Sequence, residues 1–385
     1  MSVSSNPASG AEFTSAELLH YSRQLIMPEL GLEGQRALKN SRVLMVGAGG
    51  LGSPVGLYLA AAGIGTLGIV EFDRVEASNL HRQVLYGCDQ LGRDKLEMAV
   101  SRLQAINPHI NIVSHPVRLS AENALQIIAG YDVVVDGTDN FATRYLINDA
   151  CILLKKQNVH ASIFRFDGLL SVFGAEGGPC YRCLYPEPPP AEMVPSCAEA
   201  GVLGVLPGIM GSLQANETIK LVLGAGKPLV GRLLKFDALE ARFYEFEVER
   251  DPHCPMCSAN ASITALIDYE QFCGTAPVAG DVASSITASD LKARLDAGEQ
   301  FVLLDNRGPL EFATGQIPNA VLRPVDTIDE WIGALDKQLP VICYCQSGIR
   351  SRKAANRLLQ AGFSTVLSLE GGILAWLRYS DQPTH

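Results

Sequence analysis

The 385-residue chain has no surplus of positive charge: 31 Lys and Arg stand against 41 Asp and Glu, a formal net charge of −10. That balance argues against a sequence-independent grip on a nucleic-acid backbone, which needs clustered cations, so any anionic ligand has to be held by a local site. No unbroken apolar run is long enough to span a bilayer. The opening MSVSSNPASGAEFTS lacks the basic start and apolar stretch of a secretory leader, so residues 1–14 read as a loose polar tail and the cytoplasm is the expected compartment. Charge is scarce as well, 19% against 47% hydrophobic residues, which suits sizeable cores and excludes a disordered chain. No GxxxxGK[ST] motif occurs, which rules out the P-loop solution to phosphate binding.

What the chain does have is an alternation of strand-length apolar runs with helical patterns: RVLMVG then SPVGLYLAAAG, TLGIVEFD then DKLEMAVSRLQAI, DVVVDG then FATRYLINDACILLKK. Such alternation predicts an open, largely parallel α/β sheet. From about residue 158 the strands NVHASI, GLLSVFG, GRLLKFDAL and RFYEFEVE follow without intervening helices, apart from one around GIMGSLQANETIKLVLG. They predict an antiparallel extension, and hence a mixed sheet. The proline-rich CLYPEPPPAEMVPSC cannot form regular structure and reads as a long surface loop. A second break, poor in charge pairs, ends near residue 285, after which LKARLDAG, FVLLD and VICYC start a new alternation. The length also favours two domains. The expected order is a Rossmann-like α/β domain over 15–275, a linker over 276–285 and a smaller α/β domain over 286–385.

VGAGGLGSP, residues 46–54, sets Gly47, Gly49 and Gly52 in a G-x-G-x-x-G pattern between a strand and a helix, where bare backbone approaches phosphates. About 20 residues on, EFD places Glu71 and Asp73 where an acid takes ribose hydroxyls, which fits NAD and ATP equally. RVEASNLHRQVLYGCDQLGRDK then brings Arg82, Gln83, Arg93 and Lys95, and DGTDN puts Asp139 and Asn140 at another strand's carboxyl end. A triphosphate needs cations for its charge and an acid for Mg²⁺, and this set holds both. Each residue alone reads as a solvated surface group; their ordered co-occurrence carries the reading.

Ten cysteines without an export signal point to reduced thiols, metal ligands or catalysis before disulfides. CYRC and CPMC give Cys180, Cys183, Cys254 and Cys257, two C-x-x-C pairs in turn-like surroundings, which predict a closed structural Zn²⁺ site over two redox dithiols or simple buried thiols. Cys197 follows the proline-rich loop unpaired in sequence, and its flanks are not those of a core. Cys88, Cys151, Cys273 and Cys343 read as core.

The run YSRQ, GAGGLGSP, SNLHRQ, GRDK, DGTDN, CYRCL and CPMC resembles the E1-like adenylyltransferases of the MoeB and ThiF family, over roughly residues 15–260. The resemblance implies ATP rather than NAD, and a ubiquitin-like carrier whose C-terminal glycine, in a Gly-Gly ending, becomes an acyl-adenylate. By position it implies Gly50 at the phosphates, Glu71 at the ribose, Asn79 and Arg82 beside the phosphates, Lys95 against them and Asp139 at Mg²⁺. Arg23, in YSRQ, matches an arginine inserted from a partner subunit, which implies a homodimer. Cys197 matches the cysteine that engages the activated carrier. Glu71 departs from the family's usual Asp, and Asp73 could share its task.

FVLLDNRGPLEFATGQIPNAV followed by VICYCQSGIRSRKAANRLLQAGF resembles a rhodanese domain. Its key element is CQSGIR, Cys345 to Arg350, between a strand and a helix. Backbone N–H groups curled round the sulfur, with Arg350 and the helix N-terminus, would favour thiolate and persulfide over thiol. Gln316 stands where the family usually has His. Together the two resemblances imply an adenylyltransferase and sulfurtransferase: a Cys345 persulfide, loaded from thiosulfate or a desulfurase, attacks the adenylate, and Cys197 releases a thiocarboxylate. The alternatives are adenylation alone with the second domain as a docking module, an NAD-dependent dehydrogenase, or a non-catalytic scaffold for a ubiquitin-like partner.

Overall fold

The computed structural model describes residues 13–189, 201–273 and 283–380. The chain divides into two compact units, one up to Ala276 and one from Pro277.

The first unit is built on eight strands: β1 Arg42–Val46, β2 Thr66–Val70, β3 Asn111–His115, β4 Val133–Asp136, β5 Gln157–Phe164, β6 Asp167–Phe173, β7 Arg232–Asp237 and β8 Arg242–Glu247. Their order is β3-β2-β1-β4-β5-β6-β7-β8. The pairs from β3 to β5 are parallel and those from β5 to β8 antiparallel, so the mixed sheet read from the change of pattern near residue 158 is observed. β1, β2 and β4 are continuous apolar runs because helices cover both faces. On one face Gly52–Ala62, Lys95–Ile106 and Leu206–Leu223 pack on Val43, Met45, Leu67 and Val135. On the other, Ala124–Ala129, Phe141–Leu153 and the short helix Tyr269–Phe272 pack on Leu44, Val46 and Val134. The helix Leu206–Leu223 is the one expected around GIMGSLQANETIKLVLG; Pro207 starts it, where a missing N–H costs nothing, and left-handed Gly224 ends it.

Strand order places the chemistry. β1 lies between β2 and β4, so the chain leaves to opposite sides at this point and opens a crevice beyond the carboxyl ends of the three strands. The glycine loop turns there for a steric reason. Gly47 has φ +88°, and a Cβ on Gly52 would lie 2.0 Å from the Gly47 carbonyl oxygen.

The second unit holds a five-stranded, all-parallel sheet in the order β11-β10-β12-β13-β9, from β9 Ser284–Ile286, β10 Val302–Asp305, β11 Val321–Leu322, β12 Val341–Tyr344 and β13 Val366–Leu369. Two apolar layers cover its faces, one around Trp331 and Leu358, the other around Trp376 and Tyr344. Among the described residues no helix is long and apolar enough to cross a membrane.

Candidate functional site

The crevice at the carboxyl ends of β1, β2 and β4 is lined by Gly47, Gly49, Gly50, Glu71, Asp73, Arg82, Gln83, Lys95, Asp139 and Asn140, with Arg118, Thr138, Thr143 and Arg144. Stretches far apart in sequence therefore meet in one cleft. Lys95 opens the helix Lys95–Ile106, which Asp94 caps by accepting from the Leu96 and Glu97 amides. Its side chain is buried, and its one ion pair among the described residues is a long one, Nζ to Asp73 Oδ2 at 3.4 Å. A buried ammonium so loosely paired favours an incoming anion. Arg82 is aimed by its neighbours: Nη1 donates to the Ser78 carbonyl at 3.0 Å and Nη2 to Asn79 Oδ1 at 3.1 Å. Asn79 does not itself line the cleft; it holds Arg82.

Glu71 is only 6% exposed. One carboxylate oxygen accepts from the Ala48 amide at 2.9 Å, and the other from the Phe72 and Asp73 amides at 2.8 and 2.9 Å. It ties the glycine loop to the end of β2, which leaves Asp73, exposed beside it, as the freer acceptor. Asn140 caps the helix Phe141–Leu153 by accepting from the Thr143 amide at 2.9 Å. Asp139 is exposed in the cleft and has no hydrogen bond or ion pair among the described residues. Its loop is pinned from below. The buried Asp136 carboxylate accepts from the Thr138 amide and hydroxyl at 3.0 and 2.6 Å and meets His160 Nδ1 at 2.8 Å.

Two sequence expectations, for Arg93 and for Cys88, need correction. Arg93 is not in the cleft, because it spends its charge on Glu97 one turn along an exposed helix face. Cys88 is exposed rather than core, since it starts a short 3₁₀ turn, whereas Cys151, Cys273 and Cys343 are buried. Arg23 is exposed on the short helix Ser22–Leu25 and does not line this cleft. Cys197 lies outside the described residues. Arg118 and Arg144 escaped the reading. Arg144 sits four residues after the Asn140 cap, so it could have been placed on the same helix face; for Arg118, just beyond β3, only the rule that ligands gather at strand ends gave a hint.

Cys180, Cys183, Cys254 and Cys257 converge, their sulfurs all within 4.8 Å of one another. Sγ of Cys180 lies 3.6 Å from that of Cys254 and 3.9 Å from that of Cys183, and Cys183 lies 3.4 Å from Cys257. Tetrahedral thiolates about 2.3 Å from Zn²⁺ stand about 3.8 Å apart, so the four fit that ion. Hydrogen bonding from Cys180 holds the Cys183 thiol down to about 5, while burial, then the Cys183 partner, push Cys257 up to about 11. A cation is what lets all four ionise together.

In the second unit the loop after β12 brings the Gly348 amide to within 3.1 Å of Cys345 Sγ, and left-handed Gly348 then starts the helix Ile349–Gln360. Arg350 does not simply face the sulfur. Its Nη1 and Nη2 fork onto the two oxygens of Glu311, both at 2.7 Å. Although burial opposes it, this pairing holds the Glu311 carboxyl below the usual range. Gln316 is exposed, so the exchange for His touches no packing here.

The ThiF family matches residues 21–256, and the rhodanese-like domain matches residues 287–379. The chain is 47% identical over 373 residues to "Probable adenylyltransferase/sulfurtransferase MoeZ" of Mycobacterium tuberculosis, covering 94% of this chain and 93% of that protein. It is 55% identical over 267 residues to "Sulfur carrier protein adenylyltransferase" of Thermus thermophilus, covering 68% and 98%. With "Adenylyltransferase and sulfurtransferase MOCS3" of Aedes aegypti it shares 43% over 383 residues, covering 95% and 88%. Among solved structures, E. coli MccB with MccA-N7isoASN superposes with a TM-score of 0.57 at 22% identity, covering 65% of this chain and 76% of that one, a likeness of fold.

Proposed function

Because the chain belongs to the ThiF family and carries a rhodanese-like domain after it, we propose that it is an adenylyltransferase and sulfurtransferase acting on a ubiquitin-like sulfur carrier that ends in Gly-Gly. The observation that carries this reading is one cleft holding a glycine loop, the cations Lys95 and Arg82 and the exposed acid Asp139, on the same chain as a cysteine cradled by a loop amide.

Lys95 and Arg82 would hold the phosphates of ATP, with the loop at Gly50 close enough for backbone contact, and Glu71 and Asp73 would take the ribose. Asp139, with Asn140 beside it, would hold Mg²⁺, which supplies neutralisation of the phosphate charge. The carrier's terminal carboxylate then displaces pyrophosphate and becomes an acyl-adenylate. Cys345, as a persulfide, attacks that carbonyl and AMP leaves; Cys197 attacks the resulting disulfide at Cys345, freeing the carrier thiocarboxylate and leaving Cys197 bonded to Cys345. Zn²⁺ in the four-cysteine site would be structural, since a closed Cys₄ set leaves no open position.

Exposed Leu19 and Ile26 flank Arg23 and support a homodimer in which this arginine enters the partner's cleft. Reduced thiols and the lack of a spanning helix among the described residues fit the cytoplasm. The test is intact mass spectrometry of Gly-Gly-ending carriers incubated with the protein, ATP, Mg²⁺ and thiosulfate. A gain equal to exchange of one oxygen for sulfur is expected, and an unchanged mass for every carrier would refute the reading.

A further inference from the structure

Arg350 and Arg307, the arginines of the two rhodanese-like motifs, are both committed. Arg350 forks onto Glu311, and Arg307 is buried against Asp305 with Nη2 to Oδ2 at 2.7 Å. A further cation stands on the sheet that carries Cys345. β12 and β11 flank β10, with Asp305 in register with both Tyr344 and Leu322. The ladder runs on for one residue, because the Asn306 amide donates to the Tyr344 carbonyl and the Arg323 amide to the Asp305 carbonyl, each at 2.8 Å. Cys345, Asn306 and Arg323 therefore form one cross-strand row. Side chains alternate along strands, so the row shares the face of Cys343 and Leu304, which pack with Ala354, Ala355 and Leu358 of the helix after the Cys345 loop.

Two atoms in this row are unsatisfied. Asn306 is 1% exposed, and among the described residues its Oδ1 is buried without a donor and the Arg323 Nε is buried without an acceptor. The side-chain Nδ2 of Asn306 already donates to the Arg323 carbonyl at 2.8 Å, so the unused oxygen and the unused N–H belong to adjoining residues. Arg323 Nη1 now donates to the Leu322 carbonyl at 3.0 Å; a swing of the side chain that gives up this bond and joins Nε to the Asn306 oxygen would remove both orphans and free the Nη groups for a ligand on the Cys345 side of the row. Buried polar groups in native proteins are nearly always paired, so an open donor and acceptor beside a reactive cysteine leave hydrogen-bonding capacity that a ligand there can use. Two strand spacings, about 9.6 Å, separate the Cys345 and Arg323 backbones. An arginine side chain and a small dianion together cover that span.

We propose that Arg323, steered by Asn306, is the subsite for the oxidised end of an anionic sulfur donor, the sulfonate of thiosulfate, and so sets the donor preference of Cys345. This rests on the sulfurtransferase reading above. The Cys345 thiolate attacks the outer sulfur of thiosulfate and a Cys345 S–S bond forms. The donor's own S–S bond breaks with its electron pair leaving on sulfite, and Cys345 is left as the persulfide, with no further oxidant or reductant. Arg323 offsets the charge that gathers on the departing sulfite.

The test uses the full-length protein and measures Cys345 persulfide by mass, loading from thiosulfate and, separately, from glutathione persulfide, which has no sulfonate. In Arg323→Leu the ratio of kcat/KM for thiosulfate to that for glutathione persulfide is expected to fall by about tenfold or more, through KM, with Arg323→Lys in between. Sulfite should inhibit the wild type more strongly than the Leu variant. An unchanged ratio in both variants, or an equal fall with both donors, would overturn the subsite and leave the sulfurtransferase reading standing. If the wild type loads from neither donor, the sulfurtransferase reading fails first.

Discussion

Arg182 and Asp149 form a two-pronged ion pair in the core of the first unit, Nε to Oδ1 and Nη2 to Oδ2 both at 2.8 Å, with side-chain exposures of 1% and 0%. Arg182 stands between Cys180 and Cys183 of the four-cysteine cluster, and Asp149 lies on the helix whose first turn borders the cleft. Tyr269 donates to Asp149 at 2.9 Å, and the Tyr145 and Phe272 rings lie against the guanidinium. The pair thus ties together three stretches of the chain.

Removing one partner leaves a buried charge without its mate. Asp149→Ala is expected to destabilise the protein by about 3–5 kcal/mol in denaturant unfolding, while the double variant Asp149→Leu with Arg182→Met recovers most of that loss. Equal stability of the single variant and the wild type would contradict the account.

Freshly purified protein should contain about one zinc per chain, and Cys254→Ala should lose it. Elemental analysis without zinc in unchelated protein would sink this prediction.

Asp139→Ala should abolish pyrophosphate exchange while changing stability by less than about 1 kcal/mol, because the side chain is exposed and has no partner among the described residues. Exchange at the wild-type rate would remove Asp139 from the proposed metal role.

The Asp136 and His160 pair predicts an acid-sensitive fold. Burial lowers His160 from its ordinary 6.5, with the Arg144 charge adding to this against the pull of Asp136. Burial opposes the Asp136 charge, yet His160, Arg144 and Thr138 hold that carboxyl below its ordinary 3.8. Both folded values lie below the unfolded ones, so the unfolded chain binds more protons and stability is lost as the pH is lowered. The His160 share is lost from about pH 6.5 downward and the Asp136 share below about pH 4. His160→Asn, which keeps a donor and cannot titrate, should flatten the loss between pH 7 and 5; an unchanged slope would contradict the assignment.

The sheet was legible because its apolar runs change character where the covering helices stop, near residue 158. The four cysteines were legible because two C-x-x-C pairs leave few other uses. Side-chain commitments were not. Nothing in EFD says that Glu71 spends both oxygens on three backbone amides, and nothing in CQSGIR says that Arg350 turns to Glu311, 39 residues upstream. Arg93 and Cys88 were misplaced for a related reason: local spacing cannot tell a face turned to the cleft from one turned to water.

The division of labour between the two units is the central claim, and Cys345→Ala tests it most directly when pyrophosphate exchange and carrier thiocarboxylate are measured side by side. Cys197→Ala and Arg350→Ala serve as companions, expected to impair release and to weaken transfer respectively while sparing exchange. For Cys345→Ala the account predicts exchange at the wild-type rate and no thiocarboxylate from thiosulfate. Loss of exchange together with transfer, or thiocarboxylate still formed from thiosulfate, would contradict it.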